Sequence, residues 1–199
     1  AFVVTRILLT AFDTYDRWTE NSSWLALSDL TRWYDGELEL VTRRYPVDLP
    51  RMNDMLRKDL QGDFPFVIHL GQCPGSTTIQ LEDVGLNMNG DGSKLIKEAP
   101  EAYRTALPID HCSEQLIKAG IPAKVSYHAG TYLCNAIYFL TQYYTHTFGM
   151  QTKSLFIHLP LTPAQAAKAS DHPASLSTPM ASAAVAIVMQ HLASNQQTI

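Results

Sequence analysis

Cys134 stands where a short strand, a turn and a helix follow one another in the sequence. The β-rich run 123–126 leads into a small-residue turn at Ala129-Gly130, and an apolar helical pattern begins just before the cysteine. A thiol attacks as its thiolate, and the N-terminal end of a helix stabilises that negative charge. The segment 125–135, V-S-Y-H-A-G-T-Y-L-C-N, therefore predicts a nucleophile, although a free cysteine is more often a small buried hydrophobic residue.

A cysteine nucleophile needs a base and a group that orients the base. His158 and His69 each lie near the end of an apolar, β-rich run, so the pattern makes them equal candidates, and it suits a structural role equally well. Glu82 is the acid in a nearly uncharged stretch, 73–81, and a carboxylate buried there would need a partner such as a histidine. The alternative is a solvated loop carboxylate, which the neighbouring Asp83 favours.

Composition limits the classes of function that the chain can have. The 199 residues are 46% hydrophobic, which suits a sizeable core, and we expect a single domain over 1–199. Charged residues make up 17% and the formal net charge is -4, so the chain has no basic excess with which to bind nucleic acid. The longest apolar run is too short to span a bilayer, and we expect no membrane partner.

The cysteines and the motifs narrow the chemistry further. Cys73, Cys112 and Cys134 are odd in number and show no C-x-x-C spacing, which disfavours a disulfide framework or a structural zinc site. Reduced thiols fit a cytoplasmic enzyme, for which we expect neither a cofactor nor a metal. The usual signatures of serine hydrolases, zinc peptidases and nucleotide-binding proteins do not occur.

Strands and helices alternate along the chain. The predicted strands are 3–10, 37–44, 64–70, 79–88 (a strand or hairpin arm), 123–126 and 154–159, and the predicted helices are 22–30, 50–61, 110–119, 132–144 and 178–194. This alternation predicts an α/β fold, with a mostly parallel sheet that carries helices on both faces. Function in such sheets usually lies at the carboxyl ends of strands, where 11–21, 71–82 and 128–134 fall.

Four segments resemble pyroglutamyl peptidase I, also called pyrrolidone-carboxyl peptidase, in order and spacing. Segment 125–135 is similar to the active-site cysteine segment of that family, and 7–15, I-L-L-T-A-F-D-T-Y, to its N-terminal strand and pocket loop. Segments 67–87 and 156–165, F-I-H-L-P-L-T-P-A-Q, resemble those that bear its catalytic glutamate and histidine. The similarity covers nearly the whole chain.

The resemblance implies a single-domain α/β/α sandwich with a mixed, mostly parallel sheet. It also implies a cysteine peptidase that removes N-terminal pyroglutamate from peptides through a thioester intermediate. Cys134 would be the nucleophile, His158 rather than His69 would be its base, and Glu82 would orient His158. The backbone N–H of Cys134 would help to stabilise the oxyanion.

The resemblance extends to four substrate-binding positions and to assembly. Phe12 and Tyr15 match two aromatic positions that hold the flat lactam ring, while Asn21 and Gln72 match polar positions at the site. Members of the family often form homo-oligomers, so we expect a dimer or a tetramer. The expected substrates are peptides with a blocked N-terminus.

Departures from the family pattern lie around the expected pocket and spare the triad. The family has glycines, an arginine or a small residue at positions where this chain has Asp16, Arg17, Pro74, Ser76 and His128. A later arginine-containing segment is also shortened and lacks its arginine. Two alternatives therefore remain open: the same triad acting on another N-terminal group, or a homologue that binds without catalysis.

Overall fold

The structure, a computed structural model, describes residues 5–196 of the chain. Along these residues the strands are β1 (Arg6–Phe12), β2 (Glu39–Tyr45), β3 (Phe66–Gln72), β4 (Ile79–Glu82), β5 (Val84–Leu86), β6 (Ala102–Arg104), β7 (Ala123–Ser126) and β8 (Lys153–Leu159). The helices are α1 (Ser22–Trp33), α2 (Leu49–Asp59), α3 (Ile109–Lys118), α4 (Leu133–Thr147), α5 (Pro163–Lys168) and α6 (Thr178–Gln196), with a short 3-10 helix over Leu60–Gly62.

The main sheet has six strands in the order β2-β1-β3-β8-β4-β7. Strands β1, β2, β3 and β8 are parallel to one another, whereas β4 pairs antiparallel with β8 and parallel with β7. Strands β5 and β6 form a separate antiparallel pair. The predicted α/β fold with a mostly parallel, mixed sheet is confirmed.

Helices cover both faces of the sheet, so its central strands are buried on two sides. Helices α1, α3 and α6 pack together on one face, and α2 and α4 pack together on the other. Alternate residues of β1 enter different cores, with Ile7 and Leu9 on the first face and Leu8 and Phe12 on the second. This two-sided burial explains why β1 is a continuous apolar run in the sequence. No helix within residues 5–196 is long and apolar enough to cross a bilayer.

The bounds of some elements differ from the prediction. Strand β1 begins at Arg6 and continues to Phe12, and the first two residues of the predicted run 3–10 lie outside the described residues. The run predicted over 79–88 is two strands because the chain leaves the main sheet at Asp83, after which β5 pairs with β6. The sequence pattern did not predict β6 or α5.

Two helix ends follow their predicted local signals. The Asn21 side chain accepts a hydrogen bond from the backbone N–H of Ser23 at 3.0 Å, which caps α1 as expected. Gly120 follows α3 with a left-handed φ of 78°, the conformation in which glycine commonly ends a helix.

His69 is a fully buried link between β1, β3 and α4. Its Nδ1 atom lies 2.6 Å from the hydroxyl of Thr10, and its Nε2 atom lies 2.8 Å from that of Thr141. Burial lowers the pKa of His69 to about 3, because no nearby carboxylate compensates for the lost hydration of an imidazolium. His69 is therefore a neutral structural residue near neutral pH.

We expect His69 to make the folded state less stable as the pH falls. The pKa drops from 6.5 in the unfolded chain to about 3 in the folded one, so only the unfolded chain binds this proton between those values. The free energy of unfolding should therefore fall by about 1.4 kcal/mol per pH unit below pH 6.5 from this residue alone. Urea unfolding of wild type and His69→Gln between about pH 4.5 and 7 measures this slope.

The His69→Gln variant should be less stable at pH 7 but should lose stability more slowly on acidification. The glutamine amide can still bond to a threonine, but it takes up no proton in this range. An equal slope in the two proteins would contradict the assignment of a neutral buried imidazole.

Candidate functional site

Strands β8 and β4 place His158 and Glu82 next to each other. The antiparallel register sets His158 opposite Gln80 and Phe156 opposite Glu82, so the histidine and the glutamate are diagonal neighbours on one face. The Nδ1 atom of His158 lies 2.7 Å from Oε1 of Glu82. Glu82 is fully buried and His158 is 7% exposed, so water screens this contact very little.

Glu82 ends β4 as expected, but this strand end does not share an edge of the sheet with the carboxyl end of β8. We expected the carboxyl ends of the strands to gather the site residues at one edge of the sheet. Strand β4 instead runs opposite to β8, so its carboxyl end lies beside the middle of β8. The solvated-loop alternative is also wrong, because Asp83 is buried like Glu82 and accepts a hydrogen bond from Nε of Arg104 at 2.7 Å.

Cys134 lies in the first turn of α4 and reaches the sheet above Gly71. A Cβ atom on Gly71 would lie 2.8 Å from the Cys134 sulfur and 2.5 Å from the ring of Phe156, closer than real contacts allow. Gly71 is the partner of His158 in the pairing of β3 with β8. A glycine at this position therefore lets the thiol approach the imidazole.

The pKa of His158 shows that its charged form is favoured in this setting. Burial alone would lower the pKa, but the negative charge of the Cys134 sulfur, together with the contact to Glu82, raises it to about 10. The protonated His158 imidazole is therefore favoured at neutral pH, with the Cys134 sulfur on one side and Glu82 on the other. A sulfur and an imidazolium placed in this way can supply both a nucleophile and an acid that protonates a leaving group.

A cavity of about 730 Å³ opens in front of the thiol. All the site residues expected from the sequence line it except Glu82, which lies behind His158: Phe12, Tyr15, Asn21, Gln72, Cys134 and His158. The volume is within the range of about 300–1,000 Å³ that is typical of small-molecule sites. The expected binding residues and the thiol therefore face one space.

The Gln72 side chain is fixed at the wall of this cavity. Its Oε1 atom accepts hydrogen bonds from the backbone N–H of Ser22 at 2.8 Å and from Nε2 of Gln165 at 2.7 Å. Burial raises the pKa of the Tyr15 hydroxyl, and the Gln72 side chain opposes part of that shift. Gln72 and Tyr15 are therefore close neighbours at the cavity wall.

The Asn21 side chain is engaged within the protein. In addition to capping α1, its Oδ1 atom accepts a hydrogen bond from the hydroxyl of Ser23 at 2.7 Å, and its Nδ2 atom donates to the carbonyl of Asp13 at 3.0 Å. These bonds hold the loop after β1 against the start of α1. A contact between Asn21 and the substrate stays a prediction.

Two residues of the site were not found by the sequence analysis. Gln165 caps α5 together with Thr162 and reaches Gln72, and the T-x-x-Q spacing of a capping box was the signal that could have revealed it. Asn135 bonds to the backbone of Leu86 and holds the chain after β5 next to the cavity. Only its position beside the cysteine could have suggested this role.

Two other histidines, His69 and His128, have different surroundings from His158. His69 faces Thr10 and Thr141 and does not line the cavity. The exposed His128 accepts a hydrogen bond from the Gly130 N–H at 3.0 Å, within its own turn.

Two further cysteines are free thiols like Cys134. Cys73 lines the same cavity, and burial raises its pKa. Cys112 is a fully buried residue of α3, and burial raises its pKa to about 12. Both thiols are therefore disfavoured as thiolates at neutral pH.

Comparison with known proteins agrees with this site. The family model described as pyroglutamyl peptidase matches residues 5–195. A pyrrolidone-carboxylate peptidase from Clavibacter michiganensis subsp. michiganensis is 33% identical over 94% of this chain and 92% of its own. The pyrrolidone carboxyl peptidase structure from Fervidobacterium islandicum AW-1 matches with a TM-score of 0.90 at 29% identity, covering 96% of this chain and 99% of its own.

A second solved structure gives the same result. The pyroglutamyl peptidase I from Bacillus amyloliquefaciens matches with a TM-score of 0.88 at 30% identity, and the match covers 96% of each chain. Sequence and structure therefore agree over nearly the full length of both proteins. The chain belongs to the pyroglutamyl peptidase family of cysteine peptidases.

Proposed function

We propose that the protein hydrolyses the peptide bond that follows an N-terminal pyroglutamyl residue. Cys134 is the nucleophile, His158 is the base and acid, and Glu82 orients His158. The observation that carries this proposal is the buried 2.7 Å contact between Glu82 and His158, next to a thiol at the wall of a cavity of about 730 Å³. The names of the relatives support the substrate class.

The reaction is an acyl transfer in two steps. The Cys134 thiolate attacks the carbonyl carbon of the scissile bond, and the His158 imidazolium gives its proton to the departing amine. The thioester that results is attacked by water, which loses a proton to His158. Breakdown of this second adduct releases pyroglutamate and restores the thiolate.

The first turn of α4 provides the groups that stabilise negative charge. Cys134 is the second residue of the helix, and backbone N–H groups in a first turn have no acceptor within the helix. The Cys134 N–H can therefore donate to the oxyanion that forms on the attacked carbonyl. The same end of the helix dipole stabilises the thiolate.

The walls of the cavity suit a flat, uncharged ring. Phe12 is buried at the end of β1, and Tyr15 follows in the loop, so two aromatic side chains face the space in front of the thiol. A lactam ring is planar and apolar on its faces but polar at its edge. The aromatic rings match its faces, and the fixed amide of Gln72 is placed to meet its edge.

Assembly and location form part of the same proposal. We infer a single-domain protein of the cytoplasm that forms a dimer or tetramer. The resemblance to a family whose members often form homo-oligomers supports the assembly, and Ile117, Tyr127 and Phe148, which are 58%, 66% and 62% exposed, are apolar side chains that a subunit contact could cover. Light scattering after gel filtration tests this, and a monomer at micromolar concentration would contradict it.

Substitutions in the proposed triad should slow or stop the release of a fluorophore from a pyroglutamyl substrate. Cys134→Ala should abolish turnover because no nucleophile remains. His158→Gln should lower kcat by about 10²–10⁴-fold because proton transfer is lost. Glu82→Gln should lower kcat less, since a neutral amide still bonds to the imidazole but no longer favours its charge.

Exposed His111 on α3 supplies a matched control for the histidine change. His111→Gln should leave kcat within a factor of about 2, as is usual for exposed positions far from a site. Unchanged turnover by Cys134→Ala would end the proposed mechanism.

The three thiols should react with iodoacetamide at very different rates at neutral pH. Cys134 should be alkylated first because its sulfur lies at the cavity beside the His158 imidazolium, whereas burial raises the pKa of Cys73 and Cys112. Mass spectrometry of digested protein measures each rate. His158→Gln should slow the labelling of Cys134, and a Cys134 as inert as Cys112 in wild type would support a non-catalytic protein.

A further inference from the structure

The turn that follows β1 sends two neighbouring charges to different sides of the loop. The Trp18 N–H donates to the Tyr15 carbonyl at 3.1 Å, and Asp16 occupies the left-handed region with a φ of 52°. Asp16 lines the 730 Å³ cavity. The guanidinium of Arg17 instead lies 4.7 Å above the Trp18 ring, beside a separate hollow of about 370 Å³. Asp16 therefore borders the cavity, whereas the guanidinium of the next residue lies at the separate hollow.

Asp16 is the single carboxylate among the described residues that line the cavity. It takes part in no ion pair within residues 5–196. Burial is the main reason that the pKa of Tyr15 is raised, and the charge of Asp16 adds to the same shift. The field of this carboxylate thus reaches the wall at which the lactam would bind.

The backbone at this turn suits a glycine, and a glycine pair is what the family pattern has there. The left-handed region admits aspartate more readily than most other residues, so this chain keeps the turn and adds a charge to it. The later segment near 89–93 is shortened relative to the family pattern and has no arginine. The described residues that line the cavity include no lysine or arginine.

We propose that Asp16 makes the enzyme prefer peptides with lysine or arginine immediately after pyroglutamate, and disfavour aspartate or glutamate there. This inference rests on the proposed function. A cavity of about 730 Å³ is in the range that holds a ligand larger than one five-membered ring, so it has room for the next residue. Outside the pair of Cys134 and His158, this carboxylate is the charged group of the described lining, so it attracts a cationic side chain and repels an anionic one.

Competition between peptides tests the preference directly. Wild type receives pyroglutamyl-lysyl, pyroglutamyl-alanyl and pyroglutamyl-glutamyl peptide amides in one mixture, and mass spectrometry follows each of them. We expect kcat/KM to be about 1.4- to 5-fold higher for the lysyl than for the alanyl peptide, and lower for the glutamyl peptide by a similar factor. The differences should shrink between about 20 mM and 0.5 M salt because salt screens exposed charges.

The Asp16→Asn variant should lose the charge preference, so that its kcat/KM values for the lysyl, alanyl and glutamyl peptides converge. Asparagine keeps the size of the side chain and tolerates the left-handed turn. Glu20→Gln is the matched control, since Glu20 is an exposed carboxylate of the same loop that lines the neighbouring hollow. It makes the same change in net charge and should keep the preference.

A lysyl preference that persists in Asp16→Asn would overturn the inference, and so would an equal loss in Glu20→Gln. Cleavage of all three peptides at equal rates by wild type would refute the role of Asp16 and leave the proposed function intact. Binding of the same peptides to Cys134→Ala by calorimetry supplies a readout without turnover. Equal affinity for lysyl and glutamyl peptides there would also refute it.

Discussion

The contact between Glu82 and His158 is the interaction on which the site depends. A fully buried carboxylate is costly, and here one oxygen has a single partner at 2.7 Å while Oε2 has none among the described residues. Loss of His158 would leave this charge unpaired in the core. The pair therefore contributes little to the stability of the fold. Its effect is to favour the charged form of the His158 imidazole.

The sheet makes this contact possible by reversing the direction of two strands. In an all-parallel sheet, residues at the ends of neighbouring strands would meet at one edge, close to water. Because β4 is antiparallel to β8, Glu82 instead lies beside Phe156, in the middle of a strand and under α4. The hydroxyl of Tyr138 on α4 donates to the Glu82 carbonyl at 2.8 Å and fixes the helix over this point. The carboxylate is thus shielded from water while the imidazole reaches the cavity.

The other half of the site comes from close packing between a helix start and a strand. Gly71 removes the side chain that would separate the Cys134 sulfur from the sheet, and α4 then brings its N-terminal end to the same place. The cavity in front of the thiol has walls set by hydrogen bonds that run between separate segments, such as those of Gln72 with Ser22 and Gln165. Rigid walls of this kind hold a ligand in one orientation at little entropic cost.

The sequence by itself determined what depends on neighbouring residues. Strand β1 is buried on both faces, so its apolar run is continuous in the sequence. Asn21 caps α1 through a hydrogen bond to a residue two positions further along the chain. Cys134 stands at the start of α4 because the turn before it is short. The tertiary structure decided what depends on distant partners. His158 and His69 have the same local pattern. Cys134 and Glu82 beside the first, and two threonines around the second, separate a charged imidazole from a neutral one. The direction of β4 cannot be predicted from its four residues, because strand direction is set by pairing with other strands across the sheet.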